Sequence, residues 1–373
     1  MSKEYTCLGM MSGTSGDGVD ASIIKSNGLD KFEILREKYY EYDDNLFNEF
    51  HNLKKKINSI NDLKIFASSI KKLENNITLF HAKVVKDISE GLNLDLIGFH
   101  GQTLYHNPQE KISFQLGNGN LLSQLSKKKI VFNFRKNDIE NGGEGAPLTP
   151  IFHKYLVISK KIELPVCILN IGGISNLTLI HSFKNHEILS QDVGPGNCLI
   201  NSWIQSHTKE KFDKGGKVSN RGKINELILE QSLETHEHNF KKKDNISLDT
   251  NDFDISFARG LNLEDGAATL TAFSAKIITS KINFLLKDYE KKNVKIIICG
   301  GGRKNISLIK QIKLNSKKNL SFYNSEDYGL NGDFIESQAF GYIAIRSILS
   351  LPISFPLTTG CSAPCTGGVL VKI

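Results

Sequence analysis

Apolar runs separated by polar, glycine-rich turns form the same pattern twice along the chain. The first group predicts strands at 6–10, 19–24 and 32–40, with the polar turn 9–20 between the first two strands. The second group predicts strands at 165–170, 177–181 and 187–191, with the glycine turn 172–176 after its first strand. Because strand, polar turn, strand and strand recur in this order, we expect two similar halves that could close on one ligand from opposite sides.

The remaining pattern predicts helices and further strands between these groups. Apolar residues at helical spacing predict a helical region at 45–91 and helices at 146–158, 198–207, 266–289 and 334–349. The helix at 146–158 has Pro147 in its first turn, where proline is tolerated. Short apolar runs predict strands at 95–99, 112–116, 129–134 and 294–299. The polar stretch 209–257 allows no assignment.

Composition and charge exclude several classes of protein. The chain has 373 residues, of which 39% are hydrophobic and 23% are charged, as in ordinary globular proteins. The net charge of +7 comes from lysine runs such as 54–56 and 241–243, which lack interleaved aromatic residues. We therefore interpret the runs as solvated surfaces and expect no nucleic-acid partner. Without a membrane-spanning run or a signal-peptide core, the expected location is cytoplasmic.

The six cysteines are expected to be reduced, and most of them lie in apolar strands. Cys361 and Cys365 are close in sequence, but the pattern offers no nearby residue that would complete a metal site with them.

The polar turn contains the residue types that bind phosphate. Its glycines, Gly13, Gly16 and Gly18, let the backbone turn and expose N–H groups to an anion. Thr14 and Ser15 add hydroxyl donors, and the Asp17 carboxylate can hold hydrated Mg²⁺. An ordinary Asp-Gly hairpin with polar side chains is an equally good interpretation of this turn alone. No Walker motif is present, since Gly-Lys-Ser/Thr does not follow.

Two further glycine turns strengthen the case for a nucleotide. Gly300, Gly301 and Gly302 follow a buried strand and precede a helix, and Gly172 and Gly173 lie in the second hairpin. Each turn is weak evidence alone, but glycine-rich turns at three strand ends favour a nucleotide held in a cleft between two domains.

Several polar residues are candidates for catalysis or substrate binding. Asp192 is predicted to end a strand beside a helix start, where it could face a cleft or merely cap the helix. Arg135 could clamp an anion and Asp138 could hold a hydroxyl group or a metal-bound water, although surface turn chemistry explains both equally well. His100 could bond a polar ligand; the histidine spacings fit no zinc site.

Taken together, these motifs make the chain resemble the anhydro-N-acetylmuramic acid kinases, of the superfamily that contains acetate and sugar kinases, heat-shock chaperones and actin. The resemblance runs from about residue 5 to about residue 350, with Phe134, Arg135 and Asp138 among the matching residues. The matching segments are MSGTSGDGVD at 11–20, HGQTLYH at 100–106, GGEGAPLTP at 142–150, NIGGISNLT at 170–178, DVGPGNCLI at 192–200, LEDGAATLTAFSA at 263–275 and CGGGRKN at 299–305.

The resemblance implies an α/β fold of two ribonuclease-H-like, actin-like ATPase domains around an ATP cleft. The N-terminal domain would comprise 1–160 and about 335–373 with the phosphate hairpin, and the C-terminal domain 161–334 with the adenosine-side glycine turn. The implied reaction uses ATP, Mg²⁺ and water to convert 1,6-anhydro-N-acetylmuramic acid to N-acetylmuramic acid 6-phosphate in cell-wall recycling. The alternatives are a kinase of the same fold for another sugar or carboxylate, and an ATP-gated binding protein.

The resemblance also implies roles for individual residues and an assembly. Asp192 would be the general base, Glu336 would lie in the substrate pocket with less support, and the protein would be a homodimer. The ATP-binding residues would be Gly13, Thr14, Ser15, Gly16, Asp17, Gly18, Val19 and Asp20.

This sequence departs from the family pattern at several positions. Gly16 replaces a usual leucine, Asn133 an aspartate, Glu144 a glutamine and Asn201 a frequent aspartate. Asn133 removes one candidate acid, which favours Asp192 and Asp138 as the base. Glu144 alters hydrogen bonding near the expected sugar site, so sugar identity is predicted less firmly than ATP use. The tail after about residue 351 has no counterpart.

Overall fold

The structure is a computed structural model that describes residues 3–240 and 247–372. It divides into two compact units, the first made of 1–162, 183–189 and 333–373 and the second of 163–182 and 190–332. The lysine run 241–243, interpreted above as a solvated surface, lies outside the described residues. Among the residues that are described, no helix combines the length and apolar character needed to cross a membrane.

The N-terminal part of the first unit contains six strands and six helices within its described residues. The strands are β1 (Tyr5–Ser12), β2 (Gly18–Ser26), β3 (Phe32–Glu41), β4 (Leu96–Asn107), β5 (Ile112–Leu116) and β6 (Lys129–Phe132). The helices are α1 (Asp44–Lys54), α2 (Ile60–Ile65), α3 (Ala67–Ile88), α4 (Gly119–Ser126), α5 (Lys136–Glu140) and α6 (Pro150–Ser159).

The second unit, in its described part, contains five strands and five helices. Its strands are β7 (Val166–Ile171), β8 (Ile174–Ile180), β9 (Leu189–Pro195), β10 (Val294–Cys299) and β11 (Leu320–Asn324). Its helices are α7 (Cys198–His207), α8 (Lys217–Arg221), α9 (Glu226–Phe240), α10 (Leu263–Leu285) and α11 (Ile306–Asn315). The chain then returns to the first unit through α12 (Ile335–Ile348), α13 (Pro356–Thr359) and β12 (Val369–Val371).

The two sheets share one strand order. In the first unit β6-β4-β1-β2-β3 are neighbours, with β12 beside β6 and β5 beside β4; in the second unit the order is β11-β10-β7-β8-β9. In both units the first strand pairs antiparallel with the second and parallel with the strand after the first helical connection. The predicted α/β fold of two similar halves is therefore confirmed.

Helix α12 lies directly on the first sheet because glycines remove side chains from the contact. A side-chain carbon on Gly9 of β1 would lie 1.9 Å from the Ser337 carbonyl oxygen, and one on Gly98 of β4 would lie 2.3 Å from that of Phe340. On the same sheet, buried residues of α1, α3 and α4 join those of β1, β2 and β4 in one core cluster. The sheet of this unit is thus covered by well-packed helices.

Several element boundaries differ from the predictions. The helical region 45–91 is three helices, α1 to α3. The helix predicted at 146–158 begins at Pro150, because a helix begun at residue 146 would place the Pro150 ring against the carbonyl of that residue. Strand β4 continues beyond the predicted end at 99 because Gly101, with a φ of 77°, lets it bend and then pair with β5.

A further difference concerns β9, which was predicted at 187–191. It begins at Leu189 and continues through Pro195, so Asp192 lies within a strand and not at its end. Gly194 permits this continuation, since it has a φ of 138° and a side-chain carbon there would lie 2.7 Å from Ile277 on α10.

Candidate active site

The polar turn of the first unit is a hairpin, as predicted. Strands β1 and β2 pair from Tyr5 opposite Ser26 to Met11 opposite Asp20. The turn closes with a hydrogen bond of 3.1 Å from the Gly16 N–H to the Gly13 carbonyl. Gly16 has a φ of 60°, and its missing side chain makes room for Phe50, whose ring would lie 2.3 Å from a side-chain carbon. Glycine at this position therefore has a packing reason.

The surface of this hairpin is open at Gly13. A side-chain carbon there would meet nothing closer than the Ser15 hydroxyl at 3.7 Å. The Ser15 hydroxyl donates to the Asp17 carboxylate at 2.6 Å and fixes its direction. A bare backbone, two hydroxyl residues and an oriented carboxylate are the groups that a phosphate and its Mg²⁺ require.

Side chains distant in sequence hold the hairpin from behind. The Gln102 amide donates to the Gly13 carbonyl at 2.8 Å, and His51 Nε2 donates to the Ser15 carbonyl at 2.9 Å. Burial, followed by nearby Lys54, lowers the pKa of His51 to about 4, so the ring is neutral near pH 7. The sequence did not indicate either of these contacts, although Gln102 lies in the family-like segment 100–106.

His100 and Arg135 contact each other in the first unit. Arg135 Nη2 donates to His100 Nε2 at 3.0 Å, while His100 Nδ1 donates to the Gly101 carbonyl at 2.8 Å. Arg135 Nη1 also donates to the Gly145 carbonyl at 3.0 Å. Burial and the Arg135 charge hold the pKa of His100 well below its usual range, so His100 is a neutral acceptor that orients a cation.

A cavity of about 170 Å³ adjoins this pair. His100 and Asn133 line it, together with Gln115 and Glu74. Asn133 has a φ of 59°, a conformation that asparagine tolerates better than most residues. The structure therefore places His100, Arg135 and Asn133 in one region of the first unit.

Asp138 lies inside the unit, with only 1% of its surface exposed. Its carboxylate accepts 2.7 Å and 2.6 Å hydrogen bonds from the Gly145 N–H and the Thr359 hydroxyl. Cys361 and Cys365 bring their sulfur atoms to within 4.8 Å of each other and of this carboxylate. No residue near the two cysteines in sequence was expected to complete a metal site with them; folding brings Asp138 to them from more than 200 positions earlier.

Glu336 lies in the first turn of α12 and is half-buried. Because α12 lies on β1 through Gly9, the position of Glu336 depends on that close contact.

Asp192 lies in the second unit, where it is half-buried within β9. The Leu248 N–H donates to its carboxylate at 2.7 Å and fixes the carboxylate's orientation. The glycine turn before β8 is held close by, since the N–H groups of Gly196 and Asn197 donate to the carbonyls of Gly173 and Gly172, both at 2.9 Å.

The third glycine turn combines packed and open positions. A side-chain carbon on Gly300 would lie 2.4 Å from Asn170, and one on Gly302 would lie 2.2 Å from Ile171. Gly301 between them has no atom within 4 Å of such a carbon. Two glycines thus bring the turn against β7 while the third leaves an uncovered backbone.

The repeated strand order and the glycine turns define an α/β protein built of two ribonuclease-H-like units, the architecture of actin-like ATPases. A family model described as anhydro-N-acetylmuramic acid kinase matches residues 5–372, and the chain belongs to this family. The resemblance inferred from the sequence motifs is thereby confirmed, but the expectation that the tail after about residue 351 has no counterpart is wrong, because the match continues to residue 372.

Relatives named anhydro-N-acetylmuramic acid kinase match along nearly the whole chain. The protein of that name from Pelagibacter ubique is 53% identical over 374 residues, covering 100% of both chains. The one from Brucella canis is 35% identical and covers 98% of both chains, and the one from Zymomonas mobilis is 35% identical over 97% of this chain and 98% of its own.

Two solved structures are similar at 10% identity. They are the activator of 2-hydroxyisocaproyl-CoA dehydratase from Clostridium difficile with bound ADPNP, at a TM-score of 0.39, and component A of (R)-2-hydroxyglutaryl-CoA dehydratase from Acidaminococcus fermentans, at 0.41. The first covers 92% of this chain and 94% of its own, and the second 91% and 99%.

Proposed function

We propose that this protein is an ATP-dependent kinase that hydrolytically opens 1,6-anhydro-N-acetylmuramic acid and phosphorylates its O6, in cell-wall recycling. The observation that carries the proposal is the family match over residues 5–372, together with full-length identity of 53% to a protein of that name. The products are N-acetylmuramic acid 6-phosphate and ADP. We place the reaction in the cytoplasm and the active protein in a homodimer.

The hairpin of the first unit fits the phosphates of ATP. The uncovered Gly13 backbone and the Thr14 hydroxyl would donate to phosphate oxygens, and Asp17, oriented by the Ser15 hydroxyl, would hold Mg²⁺ through water. In the second unit, the uncovered Gly301 supports an adenosine-side role for 300–302. ATP supplies the phosphoryl group, and Mg²⁺ neutralises its charge.

Asp192 is proposed as the base that takes a proton from the water attacking the anomeric carbon. Asp192 is half-buried, and the Leu248 N–H donates to its carboxylate and orients it. Asp138 is the weaker candidate, since it is 1% exposed and accepts two hydrogen bonds within its unit. We therefore assign Asp138 the positioning of the Arg135–Gly145 segment.

Arg135 is proposed to bind the carboxylate of the substrate. Its guanidinium is already oriented by His100 and by the Gly145 carbonyl, which reduces the entropy lost when it binds an anion. Glu336 on α12 is proposed as a further contact to the sugar hydroxyls, because it lies half-buried in the first turn of that helix.

ADP release with and without candidate substrates tests this function. Release should require both Mg²⁺ and 1,6-anhydro-N-acetylmuramic acid, and the product should carry phosphate on O6. Equal ATP turnover without sugar would refute the kinase assignment. Turnover with another sugar or a carboxylate but not with the anhydro-sugar would favour the same-fold alternative, and ATP binding without any turnover would favour an ATP-gated binding protein.

A further inference from the structure

The C-terminal segment and helix α5 bring two thiols and a carboxylate together inside the first unit. Cys361, Cys365 and Asp138 are 2%, 6% and 1% exposed. One ligand atom from each lies within 4.8 Å of those from the other two. We propose that these three residues form a binding site for a thiophilic divalent cation such as Zn²⁺.

The spacing of the three atoms fits a single ion. Zn²⁺ binds thiolate sulfur at about 2.3 Å and carboxylate oxygen at about 2.0–2.2 Å, so two sulfurs on one tetrahedral ion lie about 3.8 Å apart. All three ligand atoms lie within 4.8 Å of one another, so side-chain rotation can bring them to the separations that one ion requires. Two sulfur ligands select Zn²⁺ over Mg²⁺ and Ca²⁺, which prefer oxygen.

The surroundings of the cluster are those of a supported ligand set. The Gly145 N–H and the Thr359 hydroxyl each donate to one oxygen of Asp138, and each oxygen retains a second lone pair for an ion. Such outer hydrogen bonds orient ligating carboxylates in metal sites. With no fourth histidine, cysteine or carboxylate joining the cluster among the described residues, a coordination position is left for water or another small ligand.

The backbone holds both cysteines in place while leaving a short path to solvent. Cys365 exchanges backbone hydrogen bonds with Ser354, and the Ser362 N–H donates to the Asn141 carbonyl at 3.1 Å. The three residues between the cysteines are exposed, so the ion would lie close to the protein surface. The loop is thus held in place before binding and open to an entering cation.

The proposed ion would clamp the C-terminal segment to the segment that orients Arg135. Asp138 holds Gly145, whose carbonyl accepts from Arg135, and the Glu144 N–H donates to the Thr359 carbonyl at 2.8 Å. Binding to the folded state alone would raise stability as the cation concentration rises. This role goes beyond the proposed kinase function and does not depend on it.

Metal titration of the reduced, metal-free full-length protein tests the proposal. Zn²⁺ should bind at one equivalent in competition with a chromophoric chelator and raise the unfolding temperature, and Co²⁺ should give a thiolate-to-metal charge-transfer band. Cys361→Ser and Cys365→Ser should each weaken Zn²⁺ binding by about 100-fold or more and remove most of that band. Cys198→Ser, which changes a half-buried cysteine of the second unit, is the matched control and should bind like the wild type.

Two results would overturn the proposal. One is the absence of a thiolate band in folded wild-type protein with Co²⁺, which needs no variant to interpret. The other is unchanged Zn²⁺ affinity in folded Cys361→Ser and Cys365→Ser proteins. A reduced wild type that binds no Zn²⁺ but forms a Cys361–Cys365 disulfide with an added oxidant gives the first result and identifies a redox pair in place of a metal site.

Discussion

Asp192 and Asp138 carry the same carboxylate in different surroundings. Asp192 is half-buried and accepts from the Leu248 N–H, whereas Asp138 is 1% exposed and accepts from Gly145 and Thr359. A base must reach water and change its protonation during turnover, while a buried acceptor of two hydrogen bonds stabilises the fold. The two residues should therefore respond differently to the same substitution.

Asp192→Asn should lower kcat by about 10²–10⁴-fold while the KM for ATP changes little, because the amide retains an acceptor for Leu248 but loses basicity. Asp138→Asn should instead lower the free energy of unfolding by about 1–3 kcal/mol, because one of its two acceptors becomes a donor. Steady-state kinetics and urea unfolding of both variants separate the cases. Nearly wild-type kcat in folded Asp192→Asn would contradict this mechanism, and equal kcat losses in both variants would leave the base unassigned.

Gly13→Val should weaken ATP binding without unfolding the protein. The hairpin has room for a side chain at Gly13, so the new methyl groups would occupy the space proposed for phosphate. Gly16→Ala is the contrasting variant, since its side chain would meet Phe50 at 2.3 Å from a backbone with a φ of 60°. Calorimetry should show lost ATP affinity in Gly13→Val, and thermal unfolding should show lost stability in Gly16→Ala. Wild-type ATP affinity in Gly13→Val would remove the hairpin from the ATP site.

The sequence could predict the hairpin residues but not what supports them. Glycines, hydroxyls and Asp17 are neighbours in the chain, so their shared chemistry is visible without a structure. Gln102 and His51 contact the hairpin only after β4 and α1 have packed beside it. The same limit explains Asp138 and the two cysteines, because local spacing carries no signal for contacts across such separations.

At the scale of elements, uninterrupted apolar strands were easier to predict than elements whose ends are set by proline or glycine. The buried strands β7 and β10 are uninterrupted apolar runs and were found at nearly their observed bounds. The start of helix α6 was misplaced because the ring of Pro150 excludes an earlier helix start. The end of strand β9 was misplaced because Gly194 lets the strand continue against α10. Strand β12 is only three residues long and is defined by pairing with β6, so its own sequence could not indicate it.

Helix α12 provides a prediction at this scale. Gly9→Ala should destabilise the first unit by about 1–3 kcal/mol or more, because the added carbon would lie 1.9 Å from the Ser337 carbonyl and force α12 away from β1. Gly341→Ala is the matched control on the facing helix, where the closest atoms are two Ile24 side-chain carbons at 3.1 Å and the Gly9 nitrogen at 3.3 Å, so a far smaller shift makes room for the added carbon. Urea unfolding should rank Gly9→Ala well below Gly341→Ala, and a reversed order would show that the close contact does not position α12. If Glu336 binds the sugar, Gly9→Ala should also raise the KM for the sugar.

At the scale of the molecule, the two units share a strand order but differ in their buried histidines. Burial lowers the pKa of His81 to about 4 and those of His106 and His153 to about 3, all in the first unit. His81 is fully buried, with Nδ1 donating to the Ile77 carbonyl and Nε2 accepting from Ser12. In the second unit, burial lowers the pKa of His236 to about 4.

These histidines predict that acid weakens the first unit more than the second. A folded-state pKa below the ordinary value of about 6.5 means that the unfolded chain binds the proton first as pH falls. Each buried histidine then costs up to about 1.4 kcal/mol of stability per pH unit, from about pH 6.5 down to its folded-state pKa.

Trp203, the single tryptophan of the chain, is 2% exposed in the core of the second unit, so its fluorescence reports on that unit. Between about pH 7.5 and 5, the urea midpoint from far-ultraviolet circular dichroism should fall more than the midpoint from Trp203 fluorescence. Equal falls in both midpoints would mean that the units unfold together or that the histidines of the first unit titrate normally.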